Sequence, residues 1–174
     1  MTKFELIRRP ALRVGEPKVL GNLALEAVTD GVILQLLARP GAVTEAGILA
    51  AIGQTEGLSL RNSGPGQWFL VAGSALDVDV VADRLATVAY LVDQTHGRSR
   101  IRIRGPQVRQ LLAKGTGVDL HDDQFPINHA VMTLIGHIGA NLARTSEDCY
   151  ELLVLRGFAD SLWHELEIMA AEFA

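Results

Sequence analysis

The stretch Arg100-Ile-Arg-Ile-Arg-Gly-Pro constrains the fold more tightly than any other, because strict alternation stops abruptly on two residues that a strand does not continue through. Ile101 and Ile103 would share one face of a strand, with Arg100, Arg102 and Arg104 on the other. Gly105 then reads as a helix N-cap. Pro106 suits the first helical position, where its φ is already set and its missing N–H would go unpaired. Val108, Leu111 and Leu112 supply the apolar face of a short helix, Lys114 sits in its last turn, and Gly115 is expected to end it in the left-handed conformation. An Asp/His-rich loop leads out from Gly117 to Pro126.

The flanking chain supplies further elements of both kinds. Residues 1–31 hold Pro10, Gly15, Pro17, Gly21 and Gly31 among mixed residues, which argues against a long regular element and for an N-terminal arm. Residues 32–39 read as a buried strand. Thr44 caps a short helix closed by Gly53. Residues 62–66 make a turn, 67–72 a strand, and 77–88 a helix with acidic residues in its first turn. Residues 90–95 form another strand, turned by His96 and Gly97 towards the Arg/Ile strand. Beyond the Asp/His loop, 130–135 and 138–144 read as strands bent at Gly136, and 149–154 pairs back. A final helix carries Phe158, Leu162, Leu166, Met169 and Phe173 as one stripe with Trp163 beside it. This mixture predicts an α+β fold of largely antiparallel sheet with helices packed on one face. The organisation expected is an arm at 1–31, a first lobe at 32–97 and a second at 98–174, forming one continuous unit.

At 174 residues and 18.8 kDa the chain is long enough to stabilise itself without disulfides. A formal charge of -4 with both signs interspersed argues against nucleic-acid and anionic-membrane partners. The single cysteine, Cys149, permits no internal disulfide and no cysteine-based metal site. No apolar run reaches membrane-spanning length and the N-terminus lacks an apolar signal core, so the cytoplasm is expected. The apolar content of 48% and mean hydropathy of +0.21 fit either a Leu/Ala-rich core or surplus surface for a subunit interface.

Several fixed separations agree with one known family. Arg104-Gly-Pro-x-x-Arg109-x-Leu-Leu-Ala-Lys-Gly115 is followed by Val118-Asp-Leu-His121 and Phe125-Pro126. His129-x-x-x-x-Leu-Ile-Gly-His137 and Tyr150-Glu-Leu-Leu-Val-x-Arg-Gly-Phe-Ala-x-Ser-Leu-Trp163 come after. From about Gly64 to Trp163 this resembles the gamma subunit of heterotetrameric sarcosine oxidase. The resemblance implies an aminomethyltransferase-like fold and a non-catalytic accessory chain partnered by alpha, beta and delta subunits. FAD, FMN, NAD and tetrahydrofolate would be held by other subunits, and the complex would demethylate sarcosine to glycine. It marks Arg104, Gly105, Pro106, Asp119, Leu120, Phe125 and Trp163 as structural or partner-contact residues.

On chemical grounds alone the arginines stand out. Arg100, Arg102, Arg104 and Arg109 form the best candidate cluster, able to bind carboxylates or phosphates bidentately or to stand as a solvated sheet face that discourages edge pairing. The segment at 63–66 matches neither a dinucleotide fingerprint nor a phosphate loop, and no nucleophile elbow occurs. His121, His129 and His137 recur every eight residues but would be spread too far along a strand to share a metal, and Asp122 and Asp123 read as solvated loop charges. No catalytic, metal-binding or cofactor-binding residue is therefore expected. Three functions remain open: an accessory subunit, of this oxidase or of a related complex acting on dimethylglycine or N-methylglutamate; a free-standing folate-binding one-carbon protein with Asp119 as its pterin carboxylate; and an adaptor using the arginine face.

Overall fold

The computed structural model describes residues 9–13, 15–41, 43–53 and 57–174. Two antiparallel sheets stack face to face, each covered on its outer face by helices. The larger has six strands. β1 (Lys18–Leu20), β2 (Leu23–Val28), β7 (Arg98–Arg104), β10 (Cys149–Leu155), β9 (Ile138–Ser146) and β8 (Ala130–Ile135) lie in that spatial order. The smaller has the order β4 (Leu58–Gly64), β5 (Gln67–Ala72), β3 (Val32–Ala38) and β6 (Ala89–Asp93). Helices α1 (Glu45–Ile52) and α2 (Val78–Leu85) cover the smaller sheet, and α3 (Val108–Ala113) and α4 (Ala159–Ala170) the larger. Among the described residues no helix is long and apolar enough to cross a membrane.

Period-two patterning determines which face meets which layer. On β7, Ile101 and Ile103 are fully buried beside Leu25, Leu142, Leu152, Leu111, Leu162 and Leu166 in the core beneath α3 and α4. The opposite face carries the arginines and turns towards the smaller sheet. Ile33, Phe69 and Val71 of the smaller sheet close on Leu153 of β10 in a third apolar cluster, worth about 1.5–3 kcal/mol for each side chain taken from water. The interlayer is thus apolar at its centre and ionic beside it.

Residues 18–28, read from sequence as arm, are strands β1 and β2, and β2 pairs with β7 from Ala24↔Arg104 to Val28↔Arg100. The correction has a simple cause: Leu23 and Leu25 alternate between turn glycines and fill the larger core, although the strands are short. Residues 1–8 of that arm lie outside the described residues. Strand β4 also went unread, since Arg61 interrupts its apolar pattern.

The helix after β7 begins later than expected. Gly105, at φ +134°, is a turn residue and not the N-cap, and Val108 N–H donates to its carbonyl at 3.1 Å. A Cβ at Gly105 would stand 2.0 Å from the Asn22 carbonyl oxygen, so glycine is required by both conformation and space. Gly115 is not left-handed. It is small because a Cβ there would meet Met169 Sδ at 3.0 Å and Ile135 Cγ2 at 3.1 Å. Lys114 reaches across to the end of α4, donating to the Met169 carbonyl at 2.7 Å, where a cation suits the dipole. Elsewhere Thr44 Oγ1 accepts from Gly47 N–H at 3.1 Å as an N-cap, and Gly53 closes α1. In α4, Leu162, Leu166 and Met169 are buried as expected, whereas Phe158 is exposed ahead of the helix.

Candidate functional site

Glu151 is the anchor of the interlayer. It lies in β10, whose Tyr150–Val154 run is buried on both faces, so its carboxylate has left water and needs cations. Three arginines supply them. Arg61 Nη2 donates to Oε2 at 2.7 Å from β4 of the other sheet. Arg100 Nη2 donates to both oxygens at 3.2 and 3.1 Å. Arg102 donates through Nε at 2.9 Å and Nη2 at 2.7 Å to Oε1. Arg102 Nη1 also reaches Glu26 Oε2 at 3.3 Å, which Arg104 shares from its exposed position.

Sheet register explains this convergence. Glu26 and Glu151 stand on either side of Arg102, and side chains directly opposite in antiparallel strands share a face. Arg61 faces Phe69 in its own sheet and points into the interlayer. Burial alone would raise the Glu151 pKa, but the charges of Arg61 and Arg100 and hydrogen bonds from Arg61 and Arg102 hold it down to about 2. Burial pushes Arg61 downward against the pull of Glu151. Guanidinium stays protonated regardless. Three cations around one carboxylate leave excess positive charge in the layer. Arg61 Nη1 and Arg100 Nε are buried without a hydrogen-bond partner among the described residues. Arg100 Nη1 is satisfied by the carbonyls of Asp30 at 3.0 Å and Ala72 at 3.3 Å. Nearby, Asn141 Nδ2 donates to the Asn62 carbonyl at 2.7 Å, a second polar tie between the sheets.

The arginine cluster expected from sequence is therefore split. Arg100 and Arg102 are consumed within the fold, Arg104 is half exposed on Glu26, and Arg109 belongs elsewhere. From α3, Arg109 Nη1 donates to Asp122 Oδ1 at 2.9 Å, on the far side of the larger sheet.

Asp122 marks a second organised region, the loop between α3 and β8. Arg144 of β9, 4% exposed, pairs with it at 2.6 Å. The same guanidinium donates to the carbonyls of Phe125 at 3.0 Å and Glu147 at 3.1 Å. The two arginines hold the Asp122 pKa down, the hydrogen bond from Arg144 contributing most. Phe125 is buried and stacks on Tyr150 with ring centroids 6.1 Å apart, and Leu120 is buried beside it. Asp119 is exposed and accepts from His121 N–H at 2.9 Å. This turn contact gives it no buried environment for a pterin. Pro106 is exposed. Trp163 Nε1 donates to Glu167 Oε1 at 2.6 Å, and Lys18 of β1 pairs with the same oxygen at 2.8 Å. Among the described residues no group of three His, Cys, Asp or Glu could hold a metal.

Sequence reasoning missed Glu151, Glu26 and Arg61. Glu151 left a readable signal: a lone carboxylate inside an apolar strand demands a buried cation. Arg61 left none, because its partner is ninety residues away.

The comparisons with known proteins agree with one another. A family model described as the sarcosine oxidase, gamma subunit family, matches residues 31–172. The sarcosine oxidase subunit gamma of an Arthrobacter species is 27% identical over 97% of this chain and 92% of its own length. That of Corynebacterium sp. strain P-1 is 28% identical over 94% and 78%. Among solved structures, a chain of heterotetrameric sarcosine oxidase from Corynebacterium sp. U-96 superposes with a TM-score of 0.77 at 26% identity, covering 91% of this chain and 88% of that one. The aminomethyltransferase of the glycine cleavage system from Bartonella henselae, at 12% identity and a TM-score of 0.57, shares the fold over 84% of this chain and 46% of its own.

Proposed function

The chain belongs to the sarcosine oxidase gamma subunit family, and from that premise we propose that it is the accessory, non-catalytic subunit of a heterotetrameric oxidase that demethylates sarcosine to glycine. Its partners in this reading are alpha, beta and delta subunits in the cytoplasm. FAD, FMN, NAD and tetrahydrofolate are bound by those subunits. The observation that carries the reading is the match, over 91% of this chain and 88% of the other, with a chain of a heterotetrameric sarcosine oxidase. The site chemistry agrees with it: the buried ionisable groups between the sheets bind one another and so tie the fold together, which is the work of a scaffold.

The candidate structural and partner-contact residues divide by exposure. Gly105, Leu120 and Phe125 shape the turn after β7 and the loop before β8, and Arg100 and Arg102 belong to the interlayer. Arg104, Pro106, Arg109, Asp119 and the partly exposed Trp163 are free to meet a partner surface. Exposed Met132 and Leu134 on β8 and Tyr90 and Val92 on β6 supply apolar contact area of the kind a permanent interface covers. The test is to tag the chain in its own host, purify it gently, and record the visible spectrum and co-purifying masses. A yellow complex with the predicted partners that oxidises sarcosine supports the proposal. A colourless, well-folded monomer recovered alone overturns it, and an active complex that prefers another N-methyl amino acid replaces the substrate.

A further inference from the structure

Strand β7 carries arginines at every second position, Arg98, Arg100, Arg102 and Arg104, and this spacing puts all of them on the interlayer face. Carboxylates serve only part of the row. Glu26 and Glu151 flank Arg102, and from there Arg100 reaches Glu151 and Arg104 reaches Glu26. Arg98 stands opposite Leu155 on one side and beyond the end of β2 on the other. Its guanidinium lies over the Phe69 ring, 4.4 Å from the centroid. Nε is buried with no hydrogen-bond partner, and no carboxylate pairs with this side chain, among the described residues. Burial accordingly lowers its pKa.

Arg98 faces a cleft where the interlayer opens to the surface. The cavity has a volume of about 30 Å³ and is walled by Arg98, Arg100, Arg156 and His96, together with apolar Leu12 and Ala27, with no Asp or Glu among the described residues. An adjoining recess of about 20 Å³ shares Arg98 and Arg100 and includes Asp30, whose backbone oxygen accepts from Arg100. Room for more than a single water, at the roughly 10–15 Å³ that one requires, suits a planar head group of a few atoms. A guanidinium stacked on an aromatic ring is held in plane, which favours bidentate recognition of such a group through its two Nη donors.

We propose that this cleft is a carboxylate-binding site, with Arg98 as the principal donor and Arg156 at its rim. The carboxylate comes from a small organic acid or from an acidic side chain of a partner subunit. Either source neutralises a cation that has no carboxylate partner among the described residues.

Two measurements on the full chain test this. Phenylglyoxal modification, read residue by residue by mass spectrometry, should slow at Arg98 by about tenfold or more with saturating acetate, the range expected when roughly nine-tenths of sites are filled. Chloride at equal ionic strength should not slow it, and Arg104 should be unaffected. Calorimetric titration with acetate should give a saturable heat that Arg98→Gln abolishes and Arg98→Lys weakens, both variants keeping the far-ultraviolet spectrum of the parent. An Arg98 rate independent of acetate, slowing equal to that in chloride, or undiminished acetate binding by Arg98→Gln overturns the proposal. The assembled complex separates the sources: acetate-dependent protection there indicates a free acid, and acetate-independent protection a partner side chain. If no complex can be recovered, the subunit reading fails, while the experiments on the chain alone still decide the site.

Discussion

Arg61 on β4 and Glu151 on β10 meet at 2.7 Å across the gap between the two sheets, each almost wholly buried. The pair joins layers that also touch through Ile33, Phe69, Val71 and Leu153, through the Asn141 tie, and through Arg100 on the Ala72 carbonyl and Arg98 on the Phe69 ring. Its geometry specifies how the sheets sit on each other, since a shift of one residue in β10 would turn Glu151 into the core beneath α4.

Glu151→Gln should destabilise the chain by about 3–5 kcal/mol, because it leaves Arg61 and Arg100 buried without their counter-charge. Urea unfolding followed by circular dichroism measures this. Replacing Arg61 and Glu151 together by leucine should cost less than the Glu151→Gln change alone, since it leaves one buried cation, Arg100, without its counter-charge where Glu151→Gln leaves two. A double replacement that is worse than the single one would show that the pair's geometry, beyond its charge balance, holds the sheets together.

Acid should act through the same carboxylate. Its folded pKa of about 2 lies below the ordinary value of 4.5, so its contribution is complete above about pH 4.5 and is lost as the pH falls towards 2. Over that window the loss is about 3 kcal/mol, at roughly 1.4 kcal/mol for each pH unit of separation. Comparing unfolding free energies of the parent and Glu151→Gln between pH 6 and pH 3, at a low and a high ionic strength because salt screens buried pairs little, should show a steeper decline in the parent at both salts.

These ionic contacts also show what was legible in the sequence. The alternation of Ile101 and Ile103 with arginines gave the strand and its two faces, and Thr44, Gly53 and Gly136 marked their turns, because each of those signals is local. The fate of the arginines was not local. Nothing near Arg100 announces that Glu151 will stand on the neighbouring strand, or that Arg61 will arrive from another sheet. Gly115 was misread for the same reason: a glycine required for conformation and one required by the approach of Met169 and Ile135 look alike in sequence.

The two glycines bounding α3 should therefore respond differently to alanine. Gly105→Ala places a Cβ against the Asn22 carbonyl at a positive φ and should cost more than the roughly 1–3 kcal/mol of a strained backbone conformation. At Gly115 the φ is ordinary and the crowding comes from the flexible Met169 thioether and the Ile135 Cγ2 methyl, with no backbone atom among the nearest contacts. Gly115→Ala should thus lower thermal stability much less than Gly105→Ala does. Equal melting temperatures for the two variants would contradict the distinction.

Arg144 offers a way to loosen the loop before β8 without touching the interlayer. Its guanidinium holds Asp122 and the Phe125 and Glu147 carbonyls at once, so Arg144→Ala leaves the buried Phe125 carbonyl unpaired, at about 1–3 kcal/mol. Lysine keeps the charge but cannot reproduce the planar fork that spans these partners. Amide hydrogen exchange should speed up through residues 121–129 in both variants while the amides of β7 and β10 keep their protection. If the loop also presents the partner surface, as its exposed Asp119 and neighbouring Arg109 suggest for the assembly proposed above, Arg144→Ala should weaken recovery of the complex more than Arg104→Ala does. Uniform acceleration across every strand would mean instead that Arg144 supports the whole larger sheet.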